Sequence, residues 1–216
     1  MNALYSLVLV LALVAIAVLG AGAAGLQGLF GVAVPYIAVI IFLVGFVRRI
    51  VDWGRSPVPF RIPTTCGQQE SLSWIKQNKL ECPTTKAGVV GRMILEVLLF
   101  RSLFKNKKID LREGPKLAFG SAKWLWLGAL AFHWSFLIIV LRHMRFFTEP
   151  VPGLFGLFET LDSILQVGVP TLFISDIIIV LAATYLFLRR VVIPQMRYIS
   201  LPADYFPLFL ILGIVI

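Results

Sequence analysis

The side chains best suited to hold a metal-bearing group are His133 and His143, in the apolar stretch at 121–147, SAKWLWLGALAFHWSFLIIVLRHMRFF. They are the only two histidines in the sequence. A bilayer is crossed by about 20 mostly apolar residues on a helix. An ionisable group inside such a span is costly and faces a site more often than lipid. Ten residues of helix advance roughly 15 Å and rotate about 1000°, some 80° short of whole turns. The two imidazoles therefore lie at different membrane depths on one broad side of the helix. That placement suits one axial ligand to each of two haems. It does not suit one shared ion, whose ligand nitrogens converge to about 2 Å. The plainer alternative is a pair of histidines hydrogen-bonded to neighbouring helices, with His143, beside Arg142 and Arg145, an interfacial residue.

The rest of the chain must position this helix in a membrane. Of 216 residues, 59% are hydrophobic and 14% charged, and the mean hydropathy is +0.90. Soluble domains carry about 25% charged residues. The composition predicts an all-α, polytopic transmembrane helix bundle without a large soluble domain. A net charge of +9 is explained by basic cytoplasmic loops. No basic patch interleaved with aromatic residues accompanies it, so nucleic acid is not an expected partner.

Three regions follow in chain order. Residues 1–52 read as an N-terminal transmembrane hairpin, with spans at 4–20 and 32–51. MNALYS lacks the basic start of a signal peptide, so the first span is expected to be retained. Residues 53–120 read as a basic cytoplasmic loop holding twelve Lys or Arg against five Asp or Glu. The positive-inside rule puts this loop and the N-terminus in the cytoplasm of a multi-pass inner-membrane protein. Within it, VVGRMILEVLLFRSLF at 89–104 has the spacing of an amphipathic helix lying on the membrane surface or on a partner. Residues 121–216 read as a haem-binding bundle: the histidine helix, a fourth span at 170–188 and a fifth from 205. Five spans are expected in all. The sequence stops within the apolar run LFLILGIVI, which predicts a truncated last span.

Other chemistry is limited. The sequence has no GxGxxG, Walker, HExxH or Gx-Ser-xG motif. Cys66 and Cys82 lie too far apart for the short spacings of zinc or iron–sulfur ligation. In the cytoplasm they read as reduced thiols, with contact to a redox partner as the sharper alternative. Asp176 lies near the start of the fourth span. It is either a proton carrier at a quinol site or a solvated interfacial residue. Arg142 and Arg145 are cations beside a candidate ligand and so candidates to pair with haem propionates; snorkelling to headgroups is the alternative.

The H-x9-H helix entered from the cytoplasm resembles that of the respiratory nitrate reductase gamma subunit family. The segment IPTTCGQQESLSWIKQNKLECPTT…GVVGRMILEVLLFRSLF is similar to the DsrM-type cytochrome b subunits that accompany dissimilatory sulfite reductase. The likeness runs from about residue 32 to the end. It implies two b-type haems, with His133 toward the cytoplasm and His143 toward the periplasm. The other two ligands in that family lie on a later helix, and this sequence has no further histidine. The resemblance also implies electron exchange between menaquinone and a cytoplasmic iron–sulfur subunit akin to heterodisulfide reductase, beside other membrane or periplasmic redox subunits, in sulfite metabolism. From the residues alone, a proton-relaying transporter and a cofactor-free membrane anchor stay open.

Overall fold

The structure is a computed structural model that describes residues 2–56, 74, 78–112, 116–163 and 172–215. The protein is mostly helical, and among the described residues three helices are long and apolar enough to cross a membrane: Asn2–Ala21, Leu29–Arg55 and Lys123–Phe146. The chain divides into two compact units, Leu7–Thr84 and the remainder.

The helix α1 (Asn2–Ala21) runs without a charged residue; its first residues, through Ser6, belong to the second unit and the rest to the first. The chain then turns at Gly25, whose φ of +66° lies in the left-handed region that glycine enters at little cost. Gly20 stands where a Cβ would run into the Phe30 ring, so its lack of a side chain lets the turn close. A wide helical turn, Leu29–Ala33, feeds directly into α2 (Val34–Arg55), with Pro35 in its first turn. Not one residue of α2 is buried. A face so uniformly apolar and open belongs in lipid or against a partner rather than in water. Of the loop that follows, the proline-rich stretch around Cys66 lies outside the described residues.

The second unit begins with the capped helix α3 (Lys86–Leu99), where the Thr85 hydroxyl accepts from the Gly88 N–H at 3.1 Å. The helix stops at Phe100, whose φ of 49° is left-handed. The short α4 (Arg101–Phe104) then starts. The Glu96 carboxylate reaches across this elbow, accepting from the Ser102 hydroxyl at 2.6 Å and its N–H at 2.9 Å. Those two bonds, the hydroxyl first, hold the Glu96 carboxyl below its ordinary range. Their stabilisation of the elbow is therefore present at neutral pH and fades as pH falls through the lowered value.

Two antiparallel strands follow, β1 (Lys107–Arg112) and β2 (Lys116–Ser121), in the register Lys107↔Ser121 to Arg112↔Lys116. This small sheet departs from the all-α expectation, within a basic loop expected to hold only a helix. In KKIDLR, Ile109 and Leu111 alternate with charged residues, which is the period of a strand rather than a helix.

The histidine helix α5 (Lys123–His143) continues into a tight turn, Met144–Phe146. It packs most extensively on α7 (Ile174–Val192). Gly128 makes that approach possible: a Cβ there would stand 2.5 Å from the Tyr185 ring. Ser135, 2% exposed, turns its hydroxyl to the Ala131 and Phe132 carbonyls of its own helix. Between α5 and α7 in the chain lies the short helix α6 (Gly153–Asp162). After α8 (Pro194–Ile199), α9 (Pro202–Val215) is anchored by fully buried Tyr205, whose hydroxyl donates to the Arg190 carbonyl. Ser6 and Asn2 of α1 donate to the Pro202 and Ser200 carbonyls, at 2.8 and 2.9 Å. α7 carries Asp176, Arg189 and Arg190 within its nineteen residues, and α9 is fourteen residues long. Neither matches the three span-length helices in both length and apolarity.

Candidate functional site

The site is built on α5, whose two sides differ. Gly128, Ser135 and Arg142 are its buried residues. They recur every seven residues, which is nearly two helical turns, and so mark the face packed into the bundle. Gly128 and Ser135 are small, which lets the neighbouring helix approach closely. Both histidines lie off that face and are exposed.

Each histidine is held in the same way. His133 Nδ1 lies 2.7 Å from the Ala129 carbonyl oxygen, and His143 Nδ1 lies 2.7 Å from that of Ile139. A carbonyl only accepts, so Nδ1 carries the proton in both rings. The lone pair is left on Nε2, which has no hydrogen-bond partner among the described residues. This is the tautomer in which imidazole serves as a metal ligand, its other nitrogen oriented by a backbone carbonyl. The donor set fits one axial ligand to each of two haems, and two separate depths fit two groups rather than one.

His133 has the tighter surroundings. Its ring meets Phe100 edge-on at 5.0 Å and Phe132 at 5.3 Å. Phe100 is the left-handed residue at the α3–α4 elbow, and the elbow is tied to α5 by two indoles. Trp126 Nε1 donates to the Leu99 carbonyl at 2.6 Å, and Trp134 Nε1 to the Leu98 carbonyl at 2.9 Å. These are end-of-helix carbonyls that α3 itself leaves unpaired. The helix read as lying along the membrane surface thus brings its end against α5 at the level of His133. Among the described residues, His143 has one aromatic ring neighbour, Phe146 at 5.9 Å.

Arg142 turns the other way and is 8% exposed. Its Nη2 donates to Asp176 Oδ1 at 3.0 Å. Its Nη1 faces Asp162 Oδ2 at 3.1 Å, an ion pair off the hydrogen-bond axis. Its guanidinium carbon stands 3.6 Å from the centre of the Phe173 ring. Asp162 also accepts from the Ser175 N–H at 2.8 Å and hydroxyl at 2.6 Å. Asp176 in turn accepts from the Phe173 N–H at 3.4 Å, capping the start of α7. One guanidinium therefore joins α5, α6 and α7. Arg142 has partners other than the propionate expected of it, and Asp176 is part of an ion pair rather than a solvated residue. Asp162 was not singled out in the sequence; its signal was its place at the end of an apolar surface helix. Arg145, exposed, pairs with Glu159 and lies over Phe146 at 5.0 Å. Cys82 is half-buried, and Cys66 lies outside the described residues.

Fold and site together describe a mostly helical membrane protein with a histidine-bearing span. The chain is 42% identical over 191 residues to the Hdr-like menaquinol oxidoreductase cytochrome b-like subunit of Archaeoglobus fulgidus. That match covers 87% of this chain and 57% of the relative. It is 41% identical over 181 residues to the subunit of the same name from Archaeoglobus profundus, covering 82% and 53%. The chain thus spans about half the length of the curated relatives it matches. No family profile matches it, and no solved structure does.

Proposed function

We propose that the chain is the membrane subunit of a quinone-linked redox complex, a di-haem cytochrome b that passes electrons between menaquinone and a cytoplasmic iron–sulfur subunit related to heterodisulfide reductase. One observation carries the reading: two histidines on one span-length helix, each with Nδ1–H turned onto its own carbonyl and Nε2 left over. The printed name of both relatives, a cytochrome b-like subunit of an Hdr-like menaquinol oxidoreductase, supports it. The setting in dissimilatory sulfur metabolism rests on the resemblance of the 62–104 segment.

When bound, haem supplies one-electron transfer at a potential set by its ligands and surroundings. The chain's own residues hold and shield it. His133 and His143 would each present one nitrogen to a haem iron. Phe100 and Phe132 meet the His133 ring edge-on and fix its orientation. Arg145, one short turn beyond His143, offers its guanidinium to a propionate. Arg142 holds the end of α5 on α6 and α7, so that His143 keeps its direction.

In this reading five spans cross the membrane, and the N-terminus and the 53–120 loop are cytoplasmic, as the excess of basic residues there favours. Cys82 is expected to react with an impermeant thiol reagent only after permeabilisation. Labelling in intact cells would invert the orientation. The function itself is tested by a reduced-minus-oxidised visible spectrum of the purified full-length protein. A b-type α-band is expected. Its absence would leave a proton-relaying transporter or a cofactor-free anchor.

A further inference from the structure

A cleft of about 630 Å³ opens at the foot of α5, away from both histidines, lined by α4, the two strands and the first residue of α5. Its size is that of an ordinary small-molecule site. The strand register builds it. Lys107 sits opposite Ser121, and Phe119, two residues before Ser121, shares that face of its strand. Phe104 and Lys105 enter from the end of α4, and Lys123 from the start of α5. Phe104 is held against Trp126 at 5.0 Å, and the Lys123 ammonium stands 5.5 Å from the centre of the Phe104 ring. Phe119 is 66% exposed. The cleft thus combines an aromatic wall with three lysines.

That combination selects a ligand with both an anionic group and an apolar part. Residues 101–123 hold seven Lys or Arg against two Asp or Glu, so the local field favours an anion. The position is equally specific. Lys123 and the exposed Trp124 open a helix long and apolar enough to cross a membrane. Tryptophan and lysine at such an end mark the headgroup level, where anionic phospholipid is the abundant molecule of this chemistry. Each lysine near the surface adds to the attraction for anionic headgroups.

We propose that this cleft is a binding site for one anionic phospholipid, the phosphate held by Lys105, Lys107 and Lys123 and the glycerol and upper chains laid on Phe104 and Phe119. The lipid would brace the two strands against the foot of the histidine helix. This inference is independent of haem.

Native mass spectrometry of the full-length protein, delipidated in detergent and titrated with phosphatidylglycerol or phosphatidylcholine, tests it. One tightly bound phosphatidylglycerol is expected, at least tenfold tighter than phosphatidylcholine. K105Q/K107Q/K123Q is expected to abolish that preference, and F119S, which changes an exposed residue, to weaken binding of the anionic lipid. K86Q, outside the cleft, serves as the control and should leave it unchanged. Equal affinity for the two lipids, or a preference surviving the triple substitution, would overturn the proposal. Displacement of the lipid by millimolar inorganic phosphate would make the site one for a free anion. Displacement by the partner subunits would make it a docking face for an acidic protein. Either result overturns the lipid assignment.

Discussion

Replacing His133 with alanine is expected to remove about half of the haem per protein and one of two redox midpoints, while His143→Ala removes the other half and the other midpoint. The expectation rests on separation. Ten residues of regular helix place the rings roughly 15 Å apart along the axis, against metal–nitrogen bonds of about 2 Å, so neither ring can replace the other. The two losses should differ in character. The His133 ring meets Phe100 and Phe132 edge-on beside an elbow that Trp126 and Trp134 hold, so its removal loses a contact with the elbow as well as a ligand. His133→Gln, which fills the space without ligating as imidazole does, separates the two effects: haem is lost and the fold is kept. Among the described residues His143 has a single aromatic neighbour, and its loss should leave the thermal midpoint of the apo-protein nearly unchanged. The measurement is a pyridine haemochrome assay with a potentiometric titration for each variant. Full haem in either variant would show that histidine to be structural. The di-haem reading would then fail for this helix.

Where the sequence was legible, the signal was local. An uninterrupted apolar run defines α1, α2 and α5, and the histidine spacing on α5 follows from helical geometry alone. The tautomer was not legible, although each histidine bonds a carbonyl four residues back on its own helix. What was missed is tertiary or weakly patterned. Lys107–Arg112 is short and charged, so two alternating apolar residues were outweighed by its lysines. The docking of α3 on α5 depends on two indoles reaching carbonyls 27 and 36 residues away in sequence, which no spacing rule reports. The sequence reads Arg142 as a propionate partner or a snorkelling cation and Asp176 as a proton carrier or an interfacial residue, each taken by itself. A cation and a carboxylate, each alone near the end of an apolar run, are expected to seek one another. Pairing them would have found the buried network. Its third member, Asp162, sits on a surface helix whose packing only the fold shows.

That network is where a single substitution should damage the fold most. Arg142→Met is expected to destabilise the protein by about 3–5 kcal/mol, the cost of removing one partner from a buried ion pair. The side chains of Arg142 and Asp162 are only 9% and 4% exposed. Without the guanidinium, Asp162 and Asp176 face the same space as two carboxylates with no cation between them. Asp162 keeps its two bonds from Ser175, which tie it in place and hinder its escape to water. Asp176→Asn should cost less. That side chain is 22% exposed, Arg142 keeps Asp162, and an asparagine oxygen still caps α7. The order of damage is therefore Arg142→Met, then Asp162→Asn, then Asp176→Asn. For a chain of this size the first corresponds to a fall of roughly 6–20 °C in thermal midpoint, measured on the apo-protein in detergent. Combining all three substitutions should recover much of the loss, because neutralising the carboxylates removes the stranded charge that makes Arg142→Met severe. A triple variant no more stable than Arg142→Met would mean that the arginine acts through its packing on Phe173, 3.6 Å from its guanidinium carbon, rather than through its charge.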